Sequence, residues 1–247
     1  LLEYYDLAKD SLGSDSVTFL DNASSCNEVL LESICGIHFK GDDYITTPPL
    51  LIDALMGMYD VEFEHRTVHD LESEKKKYDY VVCSTGPWIN ELNQNLGVQP
   101  IRGVLLDISP TSNEMELSLK QCTPMMEFGY GSLGVHFTLS SRGNNWLLGA
   151  SREEVSFSTE HIDSVIEKLM IRSKEFLHDG ILGDIATTKI GFRPSCIESK
   201  NDGVMPFRIK CEGGVIFCYG FEGQGVLYSA LAAKKILDYL SLPLKSR

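Results

Sequence analysis

The chain is short of positive charge, of long apolar runs and of paired cysteines, and each shortage excludes something. Its 22 Lys and Arg face 35 Asp and Glu, a formal net charge of −13. Such a field repels phosphate polymers and anionic lipid, which argues against nucleic acid as a general partner. No apolar run approaches the roughly 20 residues of a membrane-spanning helix, and no charged, apolar leader opens the sequence. The seven cysteines (Cys26, Cys35, Cys83, Cys122, Cys196, Cys211, Cys218) are odd in number, scattered and without C-x-x-C spacing. They offer neither a zinc site nor a disulfide framework, and they fit a reducing, cytoplasmic compartment. His65 and His69 are four apart on a strand-like segment without the glutamate of a metalloprotease, so no metal is expected, and no nucleophile elbow supports a Ser-His-Asp set. Internal repeats and low-complexity tracts are lacking too. The first residue is Leu1 rather than Met, which reads as a fragment or a processed product.

What is present is enough for a sizeable core: 247 residues, 43% of them hydrophobic, in one large domain or two interleaved ones. The most informative stretch is Gly213 to Leu240. An apolar strand (GGVIFCYG) runs through a glycine loop (Gly220, Gly223, Gly225) into an amphipathic helix (VLYSALAAKKILDYL). A strand that stops at glycines and restarts as a helix brings backbone N–H groups and a positive dipole end to one point, which suits an electron-rich ligand. The same turn also reads as a tight connection whose glycines serve positive φ. A second glycine string, Gly129, Gly131 and Gly134, matches G-x-G-x-x-G, with Glu153 near the position of a ribose-binding acid. The next segment, VHFTLSS, alternates with the period of a strand, so a glycine-rich hairpin is the better reading.

Earlier segments repeat the strand, turn and helix theme. YDYVVC (Tyr78 to Cys83) is a strand ending at Ser84-Thr85-Gly86, followed by Pro87 and a helix (WINELNQNL) closed by Gly97. Two such units, far apart in sequence, predict a discontinuous α/β domain. Between them IRGVLLDIS, GVHFTLSS and NNWLLGAS read as an antiparallel sheet forming a second, α+β domain, and Thr159 to Leu177 has the spacing of an amphipathic helix. Near the start, a strand is expected at Ser16 to Leu20, then within GDDYITTPPLLIDALMGMY a turn, a short strand and a helix with Pro48 or Pro49 in its first turn. VEFEHRTVHDL looks like another strand, and Glu74 to Lys77 (EKKK) like a solvated turn.

The order of these elements carries a resemblance. YDYVVCSTGPW, PIRGVLLDI, RGNNWLLGASRE, GFRP, DGVMPF and the terminal GFEGQGV with its helix resemble the D-amino-acid-oxidase and glycine-oxidase superfamily of flavoproteins, from about Gly36 onward. No single motif is very specific, and their order and spacing make the likeness. It implies a discontinuous FAD-binding domain in residues 61–100 and 191–247, and an antiparallel-sheet substrate domain in 101–190 joined by 1–60. The family's N-terminal βαβ unit, with its glycine fingerprint, is missing from these 247 residues, so the FAD-binding domain is incomplete here.

The resemblance implies FAD as cofactor and oxidation of a C–N bond in a small-molecule amine or amino acid. It places Arg193 of Gly191-Phe192-Arg193-Pro194 against the substrate carboxylate, which a guanidinium fork matches bidentately. An interdomain or surface ion pair is the other reading of that arginine. Gly220, Gly223, Gln224, Gly225 and Val226 would approach the flavin's pyrimidine carbonyl, Thr85 and Gly86 would approach from the other side, and Val68 would contact the adenine part. Tyr130 and His136 would line the substrate pocket, although a histidine on a strand also reads as a structural residue. Arg102 either lies near the ring system or fixes the start of a strand. Glu222, which would oppose flavin reduction, is expected to point to solvent, and Cys83 and Cys218 to be buried as small hydrophobes. Two further readings stand beside this one, an oxidoreductase acting on a carboxymethylamino group of a tRNA wobble uridine and a non-catalytic remnant of the fold serving as a binding module. The sequence leaves the oligomeric state open.

Overall fold

In a computed structural model the chain forms a mixed α/β and α+β fold. The structure describes residues 17–20, 36–39, 48–111, 125–130, 136–142, 145–196 and 207–241, with Asp6, Lys9 and Asp10 besides. It divides into two compact units. One comprises Leu1–Thr46, Val104–Arg152 and Thr159–Ile190; the other comprises Thr47–Gly103, Glu153–Ser158 and Gly191–Arg247.

The first unit contains the hairpin of β1 (Val17–Leu20) and β2 (Gly36–Phe39), which pair antiparallel from Val17 opposite Phe39 to Leu20 opposite Gly36. Its main sheet is built from β5 (Met125–Tyr130), β6 (His136–Arg142), β7 (Asn145–Gly149) and the parts of β4 (Val98–Pro110) from Val104 and of β8 (Leu182–Cys196) up to Ile190, in the order β5-β6-β7-β4-β8. Alternation along β4 sends Val104, Leu106 and Ile108 to one face, where Leu106 lies opposite Leu148 and Ile108 opposite Trp146. Helix α4 (Ile162–Ser173) closes that face with Val165 and Leu169, one turn apart. Trp146, Leu148 and Leu169 have no exposed surface, and each buried side chain of this size stabilises by roughly 1.5–3 kcal/mol. The hairpin expected around the glycine string is present as the antiparallel β5–β6 pair, with a register shift between Glu127 and Tyr130. Gly131 and Gly134 lie outside the described residues.

The second unit holds β3 (Val81–Cys83), β10 (Val215–Tyr219) and β9 (Arg208–Glu212), in the order β3-β10-β9. β3 and β10 run parallel, Val81 opposite Val215 and Cys83 opposite Phe217, so two strands more than a hundred residues apart in sequence join as a discontinuous domain requires. Val215, Phe217 and Tyr219 pack with Cys83, Ile89, Leu96 and Val98 on one face. On the other, Cys218 meets Phe207 and Ala232 of α5 (Gly225–Ser241), flanked by Tyr228 and Ile236. Tyr228, Ala232 and Ile236 are successive turns of one helix face, the amphipathic spacing the sequence carries. Helix α1 (Pro48–Met58) begins at Pro48 as expected; the short strand expected just before it lies outside the described residues.

Three local readings need correction. Residues 61–70 form no strand: Val61 and Phe63 are exposed, so the period-2 pattern has neither a ladder partner nor a core to face. The segment ends instead at Asp70, whose carboxylate accepts the Glu72 N–H at 3.0 Å and caps α2 (Leu71–Lys75). Glu74, read as part of a solvated turn, is buried and held by the Arg66 fork at 2.8 and 2.5 Å and by Lys77 at 3.0 Å. The WINELNQNL helix is broken into a 3-10 turn (Gly86–Trp88), one turn of α3 (Ile89–Leu92) and a second 3-10 turn (Gln94–Leu96). Asn93 divides the last two because its side chain accepts the Asn95 N–H at 3.0 Å, an alternative to the helical ladder.

Candidate functional site

Two clusters of chemistry-bearing residues form in the second unit. The first surrounds the turn from β10 into α5. Gly220 follows the strand at φ +83°, and a Cβ there would lie 2.7 Å from Cys196 Sγ. Only glycine meets both demands, positive φ and close approach. Gln224 N–H donates to Phe221 O at 2.9 Å, and Tyr228 N–H to Gln224 O at 3.1 Å, which starts the helical ladder. The N–H groups of Gly225, Val226 and Leu227 therefore have no acceptor within the helix and point out of the positive end of a 17-residue dipole.

Arg193 reaches this turn from β8. Its Cδ and Nε lie 3.8 and 3.9 Å from where a Cβ at Gly223 would sit, so its stem runs alongside the loop at ordinary contact distance. The preceding residue, Phe192, faces the opposite way, as neighbours on a strand do. It meets Phe157 edge-on at 5.2 Å, and Phe157 stacks on Trp88 at 5.4 Å. That ring ladder anchors one face of the strand and leaves Arg193 to the glycine loop.

The second cluster is a cavity of about 270 Å³ lined by Val68, Leu71, Glu74, Tyr80, Val82 and Thr85, among others. It brings together Val68 and Thr85, which the sequence separates by a helix and a strand. Gly86, next to Thr85, has φ +62° and nothing near its missing Cβ. The cavity is mostly apolar, with one carboxylate on its wall. Arg66, and Lys77 beside it, hold the Glu74 carboxyl down at about 2.

Other expected residues fall elsewhere. Tyr130 and His136 lie in the first unit, directly opposite each other in the β5–β6 ladder. Arg102 fixes a strand: its fork meets both Glu153 oxygens at 3.0 Å and Ser158 O at 2.9 Å, which also removes Glu153 from any ribose-binding role. Glu222 does not point to solvent. It is half-buried and accepts the Ser195 hydroxyl at 2.5 Å. Cys83 and Cys218 are buried as expected, and burial pushes the Cys218 thiol up to about 11. Among the described residues no three His, Cys, Asp or Glu side chains gather as a metal site would require, and no helix is long and apolar enough to cross a membrane. Ser195, Phe157 and Trp88 were not legible as site-supporting residues, since nothing in their local sequence shows what they pack against.

A flavin dinucleotide suits these residues in part. The N–H groups at the start of α5 suit an electron-rich edge, and the apolar cavity at Val68 and Thr85 suits a flat ring.

The comparisons with known proteins agree. Residues 1–239 match the profile of the DAO family, described as FAD-dependent oxidoreductases. The crystal structure of glycine oxidase from Geobacillus kaustophilus superposes on 96% of this chain with a TM-score of 0.71 at 19% identity, and the matched part is 65% of that protein. Iminodiacetate oxidase from Chelativorans sp. BNC1 superposes on 96% of this chain and 68% of its own, with a TM-score of 0.57 at 14% identity. At such identities the likeness is one of fold, and the chain spans about two thirds of these structures' length. No curated protein matches the sequence significantly.

Proposed function

We infer the reaction from the premise that this chain belongs to the DAO family of FAD-dependent oxidoreductases: it oxidises a C–N bond in a small amine or amino acid to an imine, which water then hydrolyses. When bound, FAD supplies the two-electron acceptor that takes a hydride from the substrate α-carbon. The protein's own residues bind and orient. Arg193 clamps the substrate carboxylate with two parallel N–H donors. The N–H groups of Gly225 and Val226 at the start of α5, together with the loop of Gly220, Gly223 and Gln224, stabilise negative charge that gathers next to them. Thr85, Gly86 and Val68 hold the adenine part of the cofactor.

Residues 61–100 and 191–247 then serve as the FAD-binding portion. The antiparallel unit serves the substrate, with Tyr130 and His136 as its proposed contacts. No side-chain base is required, because orientation of the α-carbon is the main task. The cytoplasm is the proposed location, from cysteine usage. The observation that supports the reading is the Arg193 stem beside Gly223, two residues before α5 begins.

The test is an anaerobic visible spectrum of the purified protein with added FAD, before and after glycine, iminodiacetate and a panel of D- and L-amino acids. Bleaching of the flavin band by one of them supports the reading and names the substrate class. A yellow protein that no amine of the panel bleaches refutes it.

A further inference from the structure

Glu222 is the one residue of the terminal loop whose conformation and side chain pull against its surroundings. It sits at φ +50°, a region that side chains other than glycine rarely adopt, between Gly220 and Gly223. A residue held there is over-determined by its neighbours, and such residues cluster where position matters. Two bonds help to hold this one. Its N–H donates to Pro194 O at 2.8 Å, and its carboxylate accepts the hydroxyl of Ser195 at 2.5 Å. Ser195 is itself buried, and a hydroxyl-to-carboxylate bond of this length is of the strong, charge-assisted kind.

Both partners come directly after Arg193 in β8, and the stem of Arg193 runs alongside Gly223. Three consecutive strand residues are thus tied to two consecutive loop residues. We propose that Glu222 is a positioning residue: with Ser195 it latches the glycine loop to the strand end that carries Arg193, and so sets where the guanidinium stands relative to the first turn of α5. The proposal rests on the roles assigned above to Arg193 and the loop. A misplacement of about 1 Å between such groups costs on the order of a hundredfold in rate.

Four variants test it: E222Q, which keeps an acceptor oxygen but not the charge; E222G, which removes the side chain and suits the backbone; S195A; and the double variant S195A/E222G. Hydrogen exchange of the full-length chain, read on the amides of Glu222, Gln224 and Tyr228, needs no cofactor. E222Q, which keeps the acceptor and loses the charge, should exchange faster than the parent and slower than E222G. E222G and S195A should each exchange about tenfold faster, and the double variant no faster than either, as a shared interaction requires. E222G with unchanged or slower exchange would overturn the proposal, because a purely backbone role is improved by glycine. With FAD added and glycine as substrate, S195A and E222G should raise KM more than they lower kcat, with E222Q between them and the parent. An unchanged KM in variants whose loop has loosened would also overturn it. If even the parent protein leaves glycine and the amine panel untouched while the exchange pattern holds, the reaction assignment fails and the latch stands.

Discussion

Replacing Gly220 by alanine should destabilise the second unit through two separable effects. The added Cβ would meet Cys196 Sγ at 2.7 Å and Cys196 Cβ at 3.5 Å. An ordinary contact is about 3.5–4.0 Å, so the sulfur has to move by close to 1 Å. Cys196 is only 4% exposed, and such overpacking costs about 1–3 kcal/mol. The φ of +83° adds about 1–2 kcal/mol for a residue with a Cβ. The sum, about 2–5 kcal/mol, is a large part of the roughly 5–15 kcal/mol that holds a domain folded. Urea unfolding followed by far-UV circular dichroism should show a midpoint lower by about 1 M or more, for m near 1–3 kcal/mol per M. In the double variant G220A/C196A the clash disappears and the backbone cost remains. It should therefore lose about 1–3 kcal/mol less than the two single losses added together. A G220A midpoint equal to the parent's, or strict additivity in the double variant, would refute the reasoning.

The same geometry sets other outcomes. Arg193→Ala should weaken use of a carboxylate substrate by roughly tenfold to a hundredfold, the worth of a charged hydrogen bond, with FAD uptake unchanged; Arg193→Lys should recover little, because it lacks the fork. Equal KM values for the three proteins would remove the carboxylate assignment. Glu74, lowered from 4.5 to about 2 by Arg66 and then Lys77, contributes stability that is present above about 4.5 and lost as pH falls toward about 2. Glu74→Gln should flatten the acid loss of the urea midpoint in that window, and a profile parallel to the parent's would refute the pairing. In the native protein an alkylating thiol reagent at mildly alkaline pH should reach exposed Cys211 quickly. It should reach Cys83, Cys196 and Cys218 only as fast as the structure opens, since those three are buried. Rapid labelling of Cys218 would contradict its burial.

The long, strongly patterned elements were legible because their side chains carry the period of their surroundings. Val104, Leu106 and Ile108 alternate because β4 has one buried face, and Tyr228, Ala232 and Ile236 recur because α5 packs one stripe. The turn from β10 into α5 was legible too, through glycines such as Gly220 that only special backbone explains. Where the pattern misled, the missing information was a partner. Val61 and Phe63 alternate like a strand with no strand beside them, and Glu74 looked solvated until Arg66 folded back onto it.

What the sequence determined by itself was therefore the strongly patterned elements, their order, and the family that this order resembles, because periodicity and glycine placement are local properties. Only the tertiary structure decided the surroundings of several residues that the sequence left open. Arg102 became a strand clamp on Glu153, Val68 and Thr85 came to share one cavity, and Glu222 turned from solvent to Ser195. The physical reason is that a charged or hydroxyl side chain is placed by whichever partner lies within about 3 Å. That partner is set by segments distant in the chain, and no local pattern records it.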